Sequence, residues 1–208
     1  MKKIRYCKIT ILILAGWAIL SAIGFLGKDT IYSRLLEDSQ LGLSRIVLYT
    51  TRPMREGEQE GREYHFTDEA CFEKLQEQEK VIESRTYQTV YGPWTYFTAD
   101  DGTLELAENS YLGIGTLESY EGMKKYYGEE SVVPVYVEVE DGERLRRAIR
   151  REELQKIPKY EEMCRRFLAD AEDFSEEKLQ QAGISKRFLN IELENCIKEI
   201  KNSIQKLQ

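Results

Sequence analysis

The sequence is poor in the residues that build disulfide frameworks and transition-metal centres. Its 208 residues include four cysteines, Cys7, Cys71, Cys164 and Cys196, which lie far apart with no C-x-x-C spacing. We interpret them as reduced, buried thiols, because neither a disulfide pattern nor a zinc pattern is present. The single histidine, His65, lies between two aromatic residues and is interpreted as structural. No metal ligand is assigned from the sequence.

Proline and an excess of positive charge are also scarce. With 4 Pro, 14 Gly and 41% hydrophobic residues, the chain can bury the core of one domain with small insertions. Its formal net charge of −7 leaves no broad basic surface for duplex nucleic acid or for an anionic membrane. An anionic ligand must therefore be bound by a local cluster of cations, and nucleic acid is not expected as a partner.

The amino-terminal region has three interpretations. Four basic residues within residues 1–8 are followed by nineteen uncharged residues, Ile9 to Gly27, which is the outline of a signal peptide or membrane anchor. As a helix, Ile9 to Leu26 would span roughly 27 Å, just short of the hydrocarbon core of a bilayer. The segment is therefore a single-pass anchor in one interpretation, and in another residues 1–26 are not the native start of the chain. We expect a cytoplasmic protein, with the anchored protein as the alternative.

A core strand is the competing interpretation of the same stretch. Ile9 to Leu14 suits a strand of a parallel sheet that is covered on both faces. A helix is expected from about Lys28, with Ile31, Leu35 and Leu36 on one face. A strand, a glycine-containing turn and a Gly-Lys pair before a helix form a phosphate-binding loop, in which backbone N–H groups and a lysine hold polyphosphate.

The match to the phosphate-loop pattern G-x-x-x-x-G-K-[ST] is only partial. Gly27 and Lys28 fit the pattern, whereas Ala22 replaces its first glycine and Asp29 replaces the hydroxyl residue that binds magnesium. Thr30, one position later, offers a hydroxyl. We therefore expect a degenerate loop.

The middle of the chain contains a denser pattern. Between Thr50 and Phe66 there are two arginines three apart, a glycine-rich turn and then a tyrosine. The segment resembles the guanylate kinase family, whose signature has T-R-x-x-R, then G-E, then G-x-x-Y-x-F. The matching residues are Thr51, Arg52, Arg55, Gly57, Glu58, Gly61, Tyr64 and Phe66. The resemblance covers roughly residues 28 to 200.

The resemblance implies the α/β fold of P-loop nucleoside monophosphate kinases. This fold is a three-layer α/β/α core around a parallel sheet, with a small mixed α/β GMP-binding lobe and a helical lid. We expect the core at residues 1–47, 100–150 and 166–208, the lobe at 48–99 and the lid at 151–165. Alternating strand and helix patterns agree with this class. Within the lobe, Thr67 or Asp68 is expected to cap a helix, and Gly92-Pro93-Trp94 predicts a turn.

The acceptor site follows partly from the residue types. Guanidinium groups bind phosphate by paired, charge-assisted hydrogen bonds, so Arg52 and Arg55, with the Tyr64 hydroxyl, suit the phosphate of GMP. By the resemblance, Glu83 is the carboxylate that accepts hydrogen bonds from guanine, and Tyr91 is a further phosphate contact.

The donor site follows from the degenerate phosphate loop together with the resemblance. Together they assign ATP, with Mg²⁺, to Gly27, Lys28, Asp29, Thr30 and Asn190. Lys28 and three arginines of the lid region are the candidate catalytic residues: Arg151, Arg165 and Arg166. Residues 144–166 contain seven arginines and two lysines against four glutamates. The alternative for this cluster is a solvated helix face with ion pairs at i, i+4 spacing.

Several positions depart from the family pattern. Both acids of its L-D-x-D strand are absent from Leu112-Gly113-Ile114-Gly115, and Leu48 and Pro93 replace two serines. Glu118 is a candidate replacement for one acid.

Two hypotheses about function follow. The first is a monomeric or homodimeric phosphotransferase that converts ATP and GMP to ADP and GDP with weakened activity. The second is an inactive module that keeps nucleotide binding or mediates interactions.

We expect GMP to bind more tightly than AMP by about tenfold to a hundredfold, because the wrong base leaves the Glu83 carboxylate unpaired, at a cost of about 1–3 kcal/mol. Calorimetry with both nucleotides measures this preference. A preference that survives unchanged in Glu83→Gln would remove Glu83 from base recognition.

Overall fold

The structure is a computed structural model that describes residues 10–14, 28–89, 91–106 and 108–207. Within these ranges the chain forms nine strands and seven helices. The strands are β1 Thr10–Leu14, β2 Leu43–Arg45, β3 Leu48–Thr50, β4 Tyr64–Phe66, β5 Val81–Thr89, β6 Gly92–Ala99, β7 Ser110–Gly115, β8 Val132–Glu138 and β9 Arg187–Leu189. The helices are α1 Lys28–Leu36, α2 Glu69–Glu77, α3 Leu117–Tyr127, α4 Asp141–Glu153, α5 Tyr160–Asp173, α6 Glu176–Gln181 and α7 Leu193–Gln205.

The core is a five-stranded parallel sheet in the order β2-β7-β1-β8-β9. The central strand β1 pairs on both sides, with Thr10 opposite Tyr111 of β7 and Val132 of β8. Residues 10–14 are therefore a core strand, as one interpretation of the apolar stretch predicted. The rest of that stretch and Gly27 lie outside the described residues. No helix in the described ranges has the length and apolarity to cross a membrane.

Helices cover both faces of this sheet. On one face, α1 and α7 pack against the strands through a buried cluster that contains Ile31 and Leu35 of α1 and Ile197, Ile200 and Ile204 of α7. On the other face, α3 and α6 contribute to a second cluster, which includes Leu117, Tyr120, Met123 and Leu179. The three-layer α/β/α class is confirmed. Of the described cysteines, Cys196 is buried in the first cluster, whereas Cys164 on α5 is exposed, so the expectation of a buried thiol is wrong for Cys164.

A second, mixed sheet forms between Leu48 and Ala99. Its strand order is β4-β3-β6-β5; β3 and β4 are parallel and the other pairs are antiparallel. Helix α2 covers one face, with the rings of Phe72 and Phe97 4.9 Å apart. The predicted cap of α2 is confirmed, since the Asp68 side chain accepts a hydrogen bond from the backbone N–H of Cys71. We call this sheet with α2 the lobe.

The predicted turn at Gly92-Pro93-Trp94 is wrong, because these residues begin β6 and the chain reverses between Thr89 and Gly92. Pro93 is tolerated there since the start of β6 pairs with β5, opposite Gln88, and lies before the residues that pair with β3. A proline has no N–H to donate to a neighbouring strand, so it is tolerated where one edge of its strand pairs with no neighbour.

The order of the core strands creates a crevice at their carboxyl ends. The chain leaves β1 toward β2 on one side of the sheet and leaves β7 toward β8 on the other side. Such a reversal of direction is the usual ligand-binding position in open α/β sheets. The crevice therefore lies beside Leu14 and Gly115, the last residues of these two central strands.

The helices α4 and α5 form a hairpin whose connection is residues 154–159. The Arg144 guanidinium lies 4.2 Å from the centre of the Phe167 ring and joins the two helices. The segment 151–165 comprises the last turn of α4, this connection and the start of α5.

Helix α3 of the core lies directly against β5 of the lobe. A Cβ atom at Gly122 would be 2.6 Å from Cβ of Glu83 and 3.5 Å from the carbonyl oxygen of Ile82. Only glycine permits this approach, because Cβ of Glu83 is anchored to the backbone and has little freedom to move. The position of Glu83 is thus set by α3.

We expect Gly122→Ala to lower the free energy of unfolding by about 1–3 kcal/mol, the usual cost of overpacking. Helix propensity alone would give the opposite sign, with alanine stabilising by roughly 0.5–1 kcal/mol. Urea unfolding measures the effect. The control is Glu121→Ala on the exposed side of α3, which should change stability by no more than about 0.5 kcal/mol. A more stable Gly122→Ala protein would disprove the close packing.

Candidate functional site

One face of the lobe sheet collects polar and aromatic side chains. Alternate residues of a strand share a face, and cross-strand neighbours extend that face over β5, β6 and β4. It carries Glu83, Arg85, Tyr87, Trp94, Tyr96, Thr98 and Tyr64. We call it the inner face, since α2 covers the opposite face. The predicted residues Glu83 and Tyr64 are thus on the same surface.

Glu83 is almost fully buried, with 6% of its side chain exposed. Its Oε1 atom accepts a hydrogen bond of 2.7 Å from the Thr98 hydroxyl. Its Oε2 atom lies 3.4 Å from Nε of Arg85, yet neither atom makes a hydrogen bond with the described residues. The carboxylate is therefore hydrogen-bonded at one oxygen, whereas its other oxygen forms an ion pair with Arg85 but no hydrogen bond.

Arg85 connects the inner face to the core. Its Nη1 atom donates a 2.8 Å hydrogen bond to the hydroxyl of Thr116, the N-cap residue of α3. That hydroxyl in turn donates to Glu118 at 2.8 Å. Since Thr116 directly follows β7, the inner face lies toward the crevice at the carboxyl ends of the core strands. Glu118, the candidate replacement carboxylate, belongs to the same network.

The T-R-x-x-R turn is organised by an internal ion pair. Arg52 is 1% exposed, and its two terminal nitrogens donate to the two oxygens of Glu58 at 2.9 and 2.8 Å. Its guanidinium also lies 5.3 Å from the centre of the Tyr64 ring. The fork of Arg52 is therefore occupied by Glu58 in this conformation, whereas the sequence predicted it as a phosphate contact.

Arg55 and Tyr64 are the more available phosphate donors. The backbone N–H of Arg55 donates to Glu58 at 2.7 Å, while its half-buried guanidinium forms no ion pair with any described residue. Burial raises the pKa of Tyr64 to about 12, so its hydroxyl keeps its proton at neutral pH and can donate it to an anion. A neutral donor therefore lies on the inner face at Tyr64, and the cation of Arg55 belongs to the turn that Glu58 organises.

Tyr91 is not part of this cluster in the present conformation. Its side chain is 81% exposed and stacks on Trp94, with 6.0 Å between the ring centres. It lies at the end of the β5–β6 hairpin, where its backbone N–H donates to the Thr89 hydroxyl.

The predicted donor residues lie at the carboxyl edge of the core sheet where they are described. Lys28 begins α1, and Asp29 and Thr30 form its first turn, with Asp29 exposed and Thr30 half-buried. Asn190 directly follows β9 and is buried. Its backbone N–H donates to the carbonyl oxygen of Glu138 at 2.8 Å.

The arginines of the α4–α5 hairpin are mostly engaged within their own helices. Arg165 and Arg166 both bind Glu162, each with a contact of 2.7 Å, and the hydrogen bond with Arg165 is the main cause that lowers the pKa of Glu162 to about 2. Arg147 pairs with Glu143. Arg151 is half-buried, and its Nε atom has no hydrogen-bond partner among the described residues. The helix-face alternative therefore describes Arg165 and Arg166 in this conformation.

A magnesium site is incomplete within the described residues. They contain no group of three His, Cys, Asp or Glu side chains placed to hold a metal ion. Magnesium in kinases is held by one or two protein oxygens together with substrate phosphates. The carboxylate of Asp29 and the hydroxyl of Thr30 are oxygen donors of this kind beside the crevice, so the residues fit an ion that arrives with a nucleotide.

The parallel core, the inserted lobe and the crevice define a P-loop nucleoside monophosphate kinase fold. The sequence profile described as Guanylate kinase matches residues 16–206. The chain therefore belongs to the guanylate kinase family.

Individual relatives are more distant. The chain is 26% identical to the guanylate kinase of Porphyromonas gingivalis over 190 residues, which cover 89% of this chain and 94% of that protein. It is 43% identical to the guanylate kinase of Neisseria gonorrhoeae over 93 residues, 45% of this chain and only 43% of the relative's length. A crystal structure of guanylate kinase from Anaplasma phagocytophilum superposes with a TM-score of 0.62, at 20% identity, over 97% of this chain and 86% of that one. This last similarity shows the fold.

The sequence patterns did not indicate two features of the site. Glu58 was recognised as part of a motif, but its pairing with Arg52 was not predicted. Arg85 was overlooked, although a residue two positions after Glu83 in a strand must share its face. Alternation along β5 was the signal that could have identified it.

The buried pair of Arg52 and Glu58 predicts a specific pH dependence. The hydrogen bond with Arg52, aided by the backbone N–H of Arg55, holds the pKa of Glu58 below its ordinary value. A lowered pKa in the folded state stabilises the fold above the unfolded pKa, about 4.3, and this contribution is lost as the pH falls through the folded pKa.

We expect Glu58→Gln to lower the free energy of unfolding by about 3 kcal/mol at neutral pH, because a buried guanidinium loses its charge partner. The difference from the wild type should shrink below about pH 4. Urea unfolding across this pH range tests both statements. The control is Glu56→Gln, an exposed glutamate of the same turn. A difference that stays constant at low pH would mean that the Glu58 charge does not stabilise the lobe.

Proposed function

We propose that the protein transfers the terminal phosphoryl group of ATP to GMP and releases ADP and GDP. One observation carries this proposal. Arg85, which shares the inner face with Glu83 and Tyr64, donates a hydrogen bond to Thr116 directly after β7, so the inner face borders the carboxyl edge of the core. Acceptor and donor nucleotides would then meet across the crevice. Membership of the guanylate kinase family supports the same reaction.

GMP is proposed to bind on the inner face. Glu83 accepts hydrogen bonds from the guanine, and Arg55 and Tyr64 donate to the phosphate. Arg52 joins them when a phosphate dianion takes the place of the Glu58 carboxylate on its fork, an exchange of one anion for another. Tyr91, at the rim, is proposed as a further phosphate contact.

ATP is proposed to bind at the carboxyl edge of the core. Lys28 and the backbone N–H groups from Gly27 to Thr30 hold its phosphates, as helix starts do, and Asn190 lies beside the base. Asp29 and Thr30, together with the phosphates, would hold Mg²⁺, and the ion would supply positive charge beside the transferred group.

Arginines of the hairpin are proposed to complete the site. Arg151, Arg165 and Arg166 stabilise the charge of the group in transfer, once Glu162 releases the last two. Phosphoryl transfer depends chiefly on such positioning and charge stabilisation.

The altered residues imply a weakened reaction. Ala22 and Asp29 depart from the phosphate-loop pattern, and Gly113 and Gly115 replace two acids. A loss of about 3–4 kcal/mol of transition-state stabilisation lowers a rate by roughly two to three orders of magnitude.

The second candidate is a nucleotide-binding or interaction module without activity. The internal pairing of Arg52, Arg165 and Arg166 favours it, because these cations are already neutralised.

A coupled assay for ADP with ATP, Mg²⁺ and GMP distinguishes the two candidates. We expect ADP formation that requires GMP and falls at least about tenfold in Lys28→Ala, because the donor phosphates lose their cation. Lys74→Ala, on the exposed side of α2, is the matched control and should retain the wild-type rate. If GMP binds in calorimetry but no ADP forms above the Lys28→Ala level, the protein is a binding module.

A further inference from the structure

We propose that Arg85 determines the preference for a 6-oxopurine by donating a hydrogen bond from its guanidinium to O6 of the base held by Glu83. This inference rests on the proposed binding of GMP to the inner face. It adds a specificity residue that the motif of the family does not contain.

Two unsatisfied atoms carry the argument. Oε2 of Glu83 and Nε of Arg85 are both buried, and both lack a hydrogen bond among the described residues. They lie 3.4 Å apart but are not aligned to bond each other. They form an ion pair without a hydrogen bond. A buried polar atom that makes no hydrogen bond is costly, so a hydrogen-bond partner is expected at this place. The pair offers one acceptor and one donor side by side.

The edge of guanine matches this arrangement. Guanine presents an acceptor, O6, next to two donors, N1–H and the 2-amino group. Arginine is a common donor to O6, and a carboxylate oxygen accepts more than one hydrogen bond. With Nε of Arg85 on O6, Oε2 of Glu83 faces N1–H, and Oε1 retains a lone pair for the 2-amino group beside its bond from Thr98. Adenine lacks the 2-amino donor and has an amino group in place of O6.

The polar side chains that the family pattern places near the base are replaced in this chain. The resemblance implies a serine or an acid at four positions that are Leu48, Pro93, Gly113 and Gly115 here, and none of these has a polar side chain. Arg85 shares the face of Glu83. It is held from its far end, where Nη1 donates to Thr116. The guanidinium is thus positioned before a ligand arrives, with Nε toward the carboxylate.

A comparison of GMP with 6-thio-GMP tests the contact. The two ligands share N1–H and the 2-amino group, but sulfur is a weak hydrogen-bond acceptor. Calorimetry on the full chain is done for wild type, Arg85→Met and the control Lys74→Met on α2. We expect wild type and control to bind GMP about tenfold more tightly than 6-thio-GMP. Arg85→Met should bind the two ligands within about twofold of each other.

Each outcome is decisive. Equal binding of the two ligands by the wild type overturns the proposal, and this arm needs no variant to fold. If Arg85→Met weakens both ligands by the same factor and keeps the preference, Arg85 only supports Glu83 and does not contact O6. Circular dichroism shows whether Arg85→Met is folded. A wild type that binds no GMP would instead refute the proposed function itself.

Discussion

The lobe depends on the burial of one guanidinium. Arg52 is removed from water on the aromatic rings of Tyr64 and Phe66, and a buried charge is stable only when it is paired. Glu58 supplies the pair and, with the same carboxylate, accepts the backbone N–H of Arg55. The turn between the two arginines is consequently fixed from inside, and Arg55 is left with its side chain available. In this conformation a single ion pair thus distinguishes two arginines three residues apart, because it engages the guanidinium of Arg52 and not that of Arg55.

Two contacts of different kinds join the lobe to α3. The bond from Arg85 to Thr116 is polar and directional, whereas the approach of Gly122 to Glu83 is purely steric. Both involve α3, which follows β7, a neighbour of the central strand β1. The helix therefore links the inner face to the crevice, and residues of two layers contribute to one site.

Much of this arrangement was predictable from the sequence. The offsets between Thr51 and Phe66 indicated the family, the pattern after Lys28 indicated α1, and Asp68 indicated the start of α2. These signals are local, because caps, turns and helical periodicity involve residues close in sequence. The pairing of Trp94 with Tyr87 depends on which residues of two neighbouring strands face each other. This pairing places Gly92 and Pro93 in a strand, although both residues favour turns. The partner chosen by Arg52 was also hidden, since a motif shows which residues occur and not which of them bind each other.

The glycine at the contact between α3 and β5 affects how this protein can be recombined with its relatives. A chimera that exchanged only residues 48–99 would place a foreign β5 against the native α3. The fit of the Glu83 carboxylate, the proposed base-binding group, would then depend on a helix that was not exchanged with it. Because Gly122 and Thr116 lie outside the lobe but contact Glu83 and Arg85, a unit that transfers the proposed base site intact extends through the end of α3. The boundary of that proposed site therefore differs from the boundary of the lobe.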